Sequence, residues 1–130
     1  MIHVHVACDD ELYRSVIADF LAHQTDMEVV GASGDDQLGA AASALTDPDV
    51  VVLSIPPTRD AAAHAREFLA GQPHGAVVVA FCRTPEQADV YMSLGIRLLV
   101  HSDEPARQLT AAVRAAAANG HNAKLAPTRH

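Results

Sequence analysis

The stretch Asp47-Pro48-Asp49-Val50-Val51-Val52-Leu53-Ser54-Ile55-Pro56-Pro57 decides the fold. Val50 to Leu53 and then Ile55 form an apolar run that is mostly β-branched and too short for a helix. Asp47-Pro48 closes it on one side and Pro56-Pro57 on the other. A run of this kind reads as a strand buried on both faces of a parallel sheet. Its one polar residue, Ser54, falls where the strand runs out. Ligands and chemistry in open α/β sheets sit at the carboxyl ends of the strands, so Ser54 is the residue to explain.

Four more short apolar runs flank this one: Ile2–Cys8, Met27–Gly31, Ala76–Phe81 and Leu98–Val100. Segments with helical spacing lie between them. After Asp9-Asp10, which suit a helix N-terminus, Leu12, Val16, Ile17, Phe20 and Leu21 are assigned to one face. Leu38, Ala41, Ala42 and Leu45 predict a shorter, alanine-rich helix, and Ala61 to Ala70 a third with Phe68 and Leu69 inward and Gly71 as its stop. Thr84-Pro85-Glu86-Gln87 opens a fourth, with Thr84 as cap and Pro85 at the first helical position, and Gly95 closes it. Ser102–Pro105 opens the last, striped by Leu109, Ala112, Val113 and Ala116 and ended by Asn119-Gly120.

Five strands alternating with five helices demand a parallel sheet with helices on both faces and right-handed crossovers. The expectation is one α/β domain over residues 1–120, with residues 121–130 a tail or the start of a linker.

The 130 residues suit a single domain, large enough to bury roughly 65–70% of its unfolded surface. Apolar residues make up 49% and charged residues 19%, an ordinary globular composition. A net charge of −7 argues against direct nucleic-acid binding, which needs a cationic face to displace counterions. Cys8 and Cys82 stand on separate elements without C-x-x-C spacing and read as reduced cytosolic thiols. No signal peptide precedes Ile2, and no apolar run approaches the roughly 20 residues that span a bilayer. The expectation is a cytoplasmic protein with no membrane partner.

Three strand ends should meet at the carboxyl edge: Cys8-Asp9-Asp10, Ser54, and Ala80 to Arg83. Asp9 and Asp10 could hold Mg²⁺, which prefers oxygen ligands, or could be a solvated helix N-terminus. His3 and His5, two apart on a strand, face one side. A metal pair or pH switch is one reading of them, and a partly buried core histidine is preferred. Ser54 with His101 lacks a G-x-S-x-G elbow and an acid partner, so hydrolysis is set aside and no enzyme is expected. Acidic neighbours should raise the pKa of Cys8, and no G-x-G-x-x-G or G-K-[ST] phosphate cradle occurs.

The motifs A-C-D-D-E-L-Y-R at Ala7–Arg14, M-E-V-V-G-A at Met27–Ala32, P-D-V-V-V-L-S at Pro48–Ser54, and T-P-E-Q through L-G at Thr84–Gly95 occur in order. In this the chain resembles the receiver domain of two-component response regulators of the LuxR/NarL type. The resemblance covers Ile2 to Gly120 and implies a doubly wound, CheY-like five-stranded sheet in the order 2-1-3-4-5.

It also implies where the family's site should lie. The acidic pair that holds Mg²⁺ falls on Cys8 and Asp9, or on Asp9 and Asp10 if the register slips by one. The phosphoacceptor Asp falls on Ser54, the switch Thr or Ser on Ala80, and the Lys on Ser102, or on His101 if one residue is missing. The aromatic switch position falls near Leu98 or Leu99. Ser54 is a neutral hydroxyl at its free pKa, with no base supplied by the motif. It also removes a ligand charge, so weak Mg²⁺ at most is expected, with no other cofactor.

The expected function is therefore a phosphorylation-independent, atypical receiver domain of a transcription regulator, acting as a homodimer. DNA would be met only through an absent C-terminal helix-turn-helix, since Lys124-Leu125-Ala126-Pro127 resembles the start of its linker. The last helix, whose Ala111–Ala118 side chains are small, is the expected dimer element. The first helix, or the helix from Pro85 with the fifth strand, would contribute. The alternatives are a small-molecule effector held at the strand ends, or a stand-alone protein-interaction module.

Overall fold

The structure, a computed structural model, describes residues 1–34, 46–55, 60–71, 77–82, 84–101 and 105–125. Five strands form one sheet: β1 (Ile2–Cys8), β2 (Met27–Ser33), β3 (Val50–Ser54), β4 (Val77–Cys82) and β5 (Leu98–His101). All pairings are parallel, as the alternation of strands and helices demands, and the order is β2-β1-β3-β4-β5, as the resemblance implies. The described helices are α1 (Glu11–Ala22), α2 (Ala61–Ala70), α3 (Pro85–Ser93) and α4 (Pro105–Leu125). The helix expected over Leu38–Leu45 lies outside the described residues.

β3 sits mid-sheet, and Val50 to Ser54 are all buried, so its continuous apolar run has a direct cause in burial on both faces. Alternate residues feed two cores. Val4, Val6, Val50, Val52, Val79 and Phe81 pack under α1 and α4. Ala7, Val51, Leu53, Val78, Ala80 and Cys82 pack under α2 and α3 with Phe68 and Tyr91. Asp47, which the sequence reads as part of a turn, takes a positive φ of 47° just before β3.

The helix ends follow their capping chemistry. Asp10 accepts the Tyr13 amide at 3.1 Å, Asp60 the Ala63 amide at 3.2 Å, and Thr84 the Gln87 amide at 3.1 Å. Gly95 ends the α3 segment at φ +94°, where a side chain would be strained. Asp10→Ala removes one such cap and is expected to cost about 1 kcal/mol in urea unfolding. A change below ~0.3 kcal/mol would show that the α1 N-terminus does not depend on it.

Two expectations need correcting. Leu12 and Val16 do not join the inner face of α1; they are 76% and 57% exposed, while Ile17 and Leu21 are buried. At 100° per residue, Leu12 stands about 140° round from Ile17, and Val16 about 100°. The last helix does not stop at Asn119-Gly120 but runs to Leu125. One glycine in an alanine-rich helix costs only about 1 kcal/mol, too little to end it without a cap. The boundary between residues 120 and 121 is thus no break in secondary structure.

Candidate functional site at the carboxyl edge of the sheet

β1 and β3 end together, with Cys8 and Ser54 as direct register partners. Ser54 is 5% exposed, so the hydroxyl that ends the apolar run is enclosed by the sheet. Cys8 is buried too, and its Sγ lies 3.7 Å from the Asp10 carbonyl oxygen. Arg14 reaches back from α1 and donates from Nη1 to the Cys8 carbonyl at 2.9 Å, with Glu11 at 3.8 Å from its Nη2. This clasp fixes the turn that presents Asp9 and Asp10, both exposed.

The two carboxylates have different positions. Asp10 is the N-cap of α1, its Oδ1 engaged by the Tyr13 amide, whereas Asp9 is the residue directly after the strand. Among the described residues, no group of three or more His, Cys, Asp or Glu gathers to hold a metal ion.

Ala80 is fully buried inside β4, paired with Leu53 on one side and Leu99 on the other. β4 continues past it to Phe81 and Cys82, one residue beyond the expected strand end. Leu53 and Ala80 share one core while Val52 and Phe81 share the other. By strand alternation Ser54 therefore faces the Phe81 side and Ala80 the opposite side. Leu98 and Leu99, both half-buried, are aliphatic on β5. Ser102 lies outside the described residues.

His101 ends β5, two strands from Ser54, which at the strand spacing is roughly 10 Å away. Its Nδ1 lies 3.6 Å from Cys82 Sγ, and its amide donates to Gln108 Oε1 at 2.9 Å. Burial pushes the Cys82 thiol up from its ordinary pKa, which favours the protonated S–H. Ser54 and His101 are thus not brought together.

His3 and His5 also diverge. His3 meets Glu28 at 3.3 Å and Asp49 at 3.9 Å near the surface. His5 is buried at 1% exposure between Ser33 Oγ, 2.7 Å from Nε2, and Thr46 Oγ1, 3.2 Å from Nδ1. Its partners were not foreseen in the sequence. The available signal was a histidine inside the otherwise apolar run Ile2–Cys8, since a buried polar group needs partners.

Burial lowers the His5 pKa from 6.5, so the unfolded chain takes up the proton first as pH falls. This group's contribution to stability is complete above about pH 6.5 and drains away below it. Urea midpoints measured from pH 7.5 to 5.5 are expected to fall, and His5→Asn to flatten that part of the slope.

No family model and no curated protein matches the sequence. Solved structures do. The response regulator domain of Thermotoga maritima CheB superposes with a TM-score of 0.71 at 22% identity, covering 91% of this chain and 97% of that one. The signal receiver domain of the putative response regulator NarL from Mycobacterium tuberculosis gives 0.67 at 21%, covering 92% and 96%. A DNA-binding response regulator of the LuxR family from Staphylococcus aureus gives 0.64 at 17%, covering 90% and 99%. At these identities the likeness establishes a common fold.

Proposed function

From the receiver-domain fold as premise, we propose that this chain is a non-enzymatic regulatory domain that works without phosphorylation. The single observation that carries this reading is Ser54, a buried hydroxyl at the carboxyl end of β3 where receivers place the acceptor carboxylate. An aspartate there would bring a charge to the metal and a nucleophile to the phosphoryl donor. A serine brings neither without a base. Ala80, though it faces the side of the sheet opposite Ser54, supports the same reading in lacking the hydroxyl that the resemblance puts at the switch position. So do the aliphatic Leu98 and Leu99. Asp9 and Asp10 remain as an acidic remnant able to attract Mg²⁺ weakly.

In this reading the domain acts in a cytoplasmic transcription regulator and signals by forming a homodimer through α4. DNA contact belongs to a helix-turn-helix domain outside these residues, and the net charge of −7 fits a domain that does not itself touch DNA. No described helix is long and apolar enough to cross a membrane. Incubation with acetyl phosphate and Mg²⁺ tests the proposal: the intact mass should stay unchanged. Stoichiometric addition of a phosphoryl group would overturn it.

A second reading, a small-molecule effector, is favoured by one observation. A half-open cavity of about 400 Å³, lined by Leu69, Val77, Val78, Leu94, Ile96 and Leu98, lies beside Arg97 near the start of β4 and β5, at the opposite edge of the sheet from the strand ends where the sequence placed an effector. That volume lies in the range of small-ligand sites. A thermal-shift screen of small carboxylates tests it. A saturable rise that Arg97→Ala abolishes would support it, and a flat screen would count against it.

A further inference from the structure

We propose that Ser33, activated by His5, is a nucleophilic site that accepts an acyl group from an uncharged activated ester or thioester. Ser33 is the last residue of β2, at the carboxyl edge of the sheet where open α/β folds place their chemistry. A shift in strand pairing is what aims it. Val4 pairs with Val29 but His5 pairs with Gly31, so Val30 is an extra residue on β2. Beyond it Ser33 stands opposite Ala7, on the face that Ala7 shares with His5. At the offset that holds before Val30, Ser33 would stand opposite Cys8 and point to the other side of the sheet. The bulge thus turns the hydroxyl towards the imidazole, and Gly31 leaves that ring its space.

The hydrogen bonds give each group a role. The 2.7 Å between Ser33 Oγ and His5 Nε2 suits a hydroxyl donor, and the 3.2 Å between Nδ1 and Thr46 Oγ1 suits a ring N–H donor. Ser33 thus donates to Nε2, and Thr46 is the positioning residue that holds the matching tautomer. The other contact of Ser33 Oγ, 3.4 Å to the Gly34 carbonyl, is too long to compete. A nucleophile within hydrogen-bond reach of a base, with the base oriented by a third group, is how a hydroxyl is activated. Burial of His5 favours the neutral ring that a base needs. Opposite His5 stand the uncharged Gly31 and Val51, and on its own face of β1 His3 is paired with Glu28 and Asp49. Ser33 is only half-buried, so a donor can reach it.

The net charge of −7, with Asp35 and Asp36 following Ser33 closely in sequence, disfavours anionic donors such as acetyl phosphate. In the step, Oγ bonds to the acyl carbon as the bond from that carbon to the leaving group breaks. The hydroxyl proton passes to Nε2 and then to the departing oxygen or sulfur. One serine ester per chain is the product.

Labelling of the full chain with p-nitrophenyl acetate, followed by peptide mass mapping, tests this. The exposed Ser15 and Ser93 serve as internal references. With a general base in place, Ser33 should acquire acetyl at least about 100-fold faster than either. That ratio should fall as His5 takes up its proton below about pH 6.5. His5→Asn should bring Ser33 down to the reference rate. Equal labelling of the three serines in the wild type would overturn the assignment. So would fast labelling of Ser33 that ignores both His5→Asn and pH. If His5→Asn unfolds the chain, the wild-type ratio and its pH profile decide the matter.

Discussion

Phe68→Ala is expected to lower the unfolding free energy by about 3–5 kcal/mol. Phe68 is fully buried on α2, in the core that also takes Val51, Leu53, Val78 and Tyr91. Truncation removes the ring's burial and leaves a cavity that the β-branched strands beneath cannot easily fill. A domain of this length holds about 5–15 kcal/mol in total, so the variant should remain folded at 25 °C with little to spare. Thermal melting should fall by about 10–20 °C. The urea midpoint should drop with its slope unchanged, since the surface exposed on unfolding is nearly the same. A loss under ~1 kcal/mol would mean that α2 does not close this core.

Gly31→Ala should be the other costly change, although it adds only a methyl group. Gly31 is the β2 residue opposite His5, and the β1–β2 register shifts between Val4 and His5. A Cβ placed on Gly31 would lie 2.9 Å from His5 Nδ1 and 3.0 Å from Thr46 Cγ2. The imidazole cannot simply swing aside, because Ser33 and Thr46 hold it from both nitrogens. Overpacking of this kind costs about 1–3 kcal/mol. In a His5→Ala background the same methyl should cost much less, and the difference is the coupling between the two sites. Equal costs in both backgrounds would show that the ring does not fill that space.

The order of the sheet came from the resemblance to receiver domains; what the residues themselves carried was the interior place of β3, whose short, β-branched Val50–Leu53 run between prolines reads as a strand covered on both sides. Helix caps were readable for a similar reason, since Asp10 and Thr84 act on amides within three residues. The exposed ridge of α1 was misplaced because apolar residues were grouped by type, whereas positions five apart on a helix lie on different sides. The end of α4 was misplaced because Asn119-Gly120 is a local stop signal that helix continuity to Leu125 overrides.

The candidate site was only half legible. A residue's identity at a strand end can be read from the chain, so Ser54 stood out, whereas Ala80 was reached only through the resemblance and lies inside β4. What faces what across strands depends on register, which brings Cys82 to His101 and Ser33 and Thr46 to His5 from far along the sequence. None of those pairings leaves a local mark.

Under the proposed function, the enclosed alcohol at the end of β3 leaves this receiver fold without an acyl-phosphate switch. The most direct measurement is an amide NMR titration with beryllofluoride and Mg²⁺, following Ser54 and its neighbours Cys8 and Asp9. No saturable change is expected at these residues, with at most weak Mg²⁺ shifts at Asp9 and Asp10. Saturable, Mg²⁺-dependent shifts centred on Ser54 would contradict it.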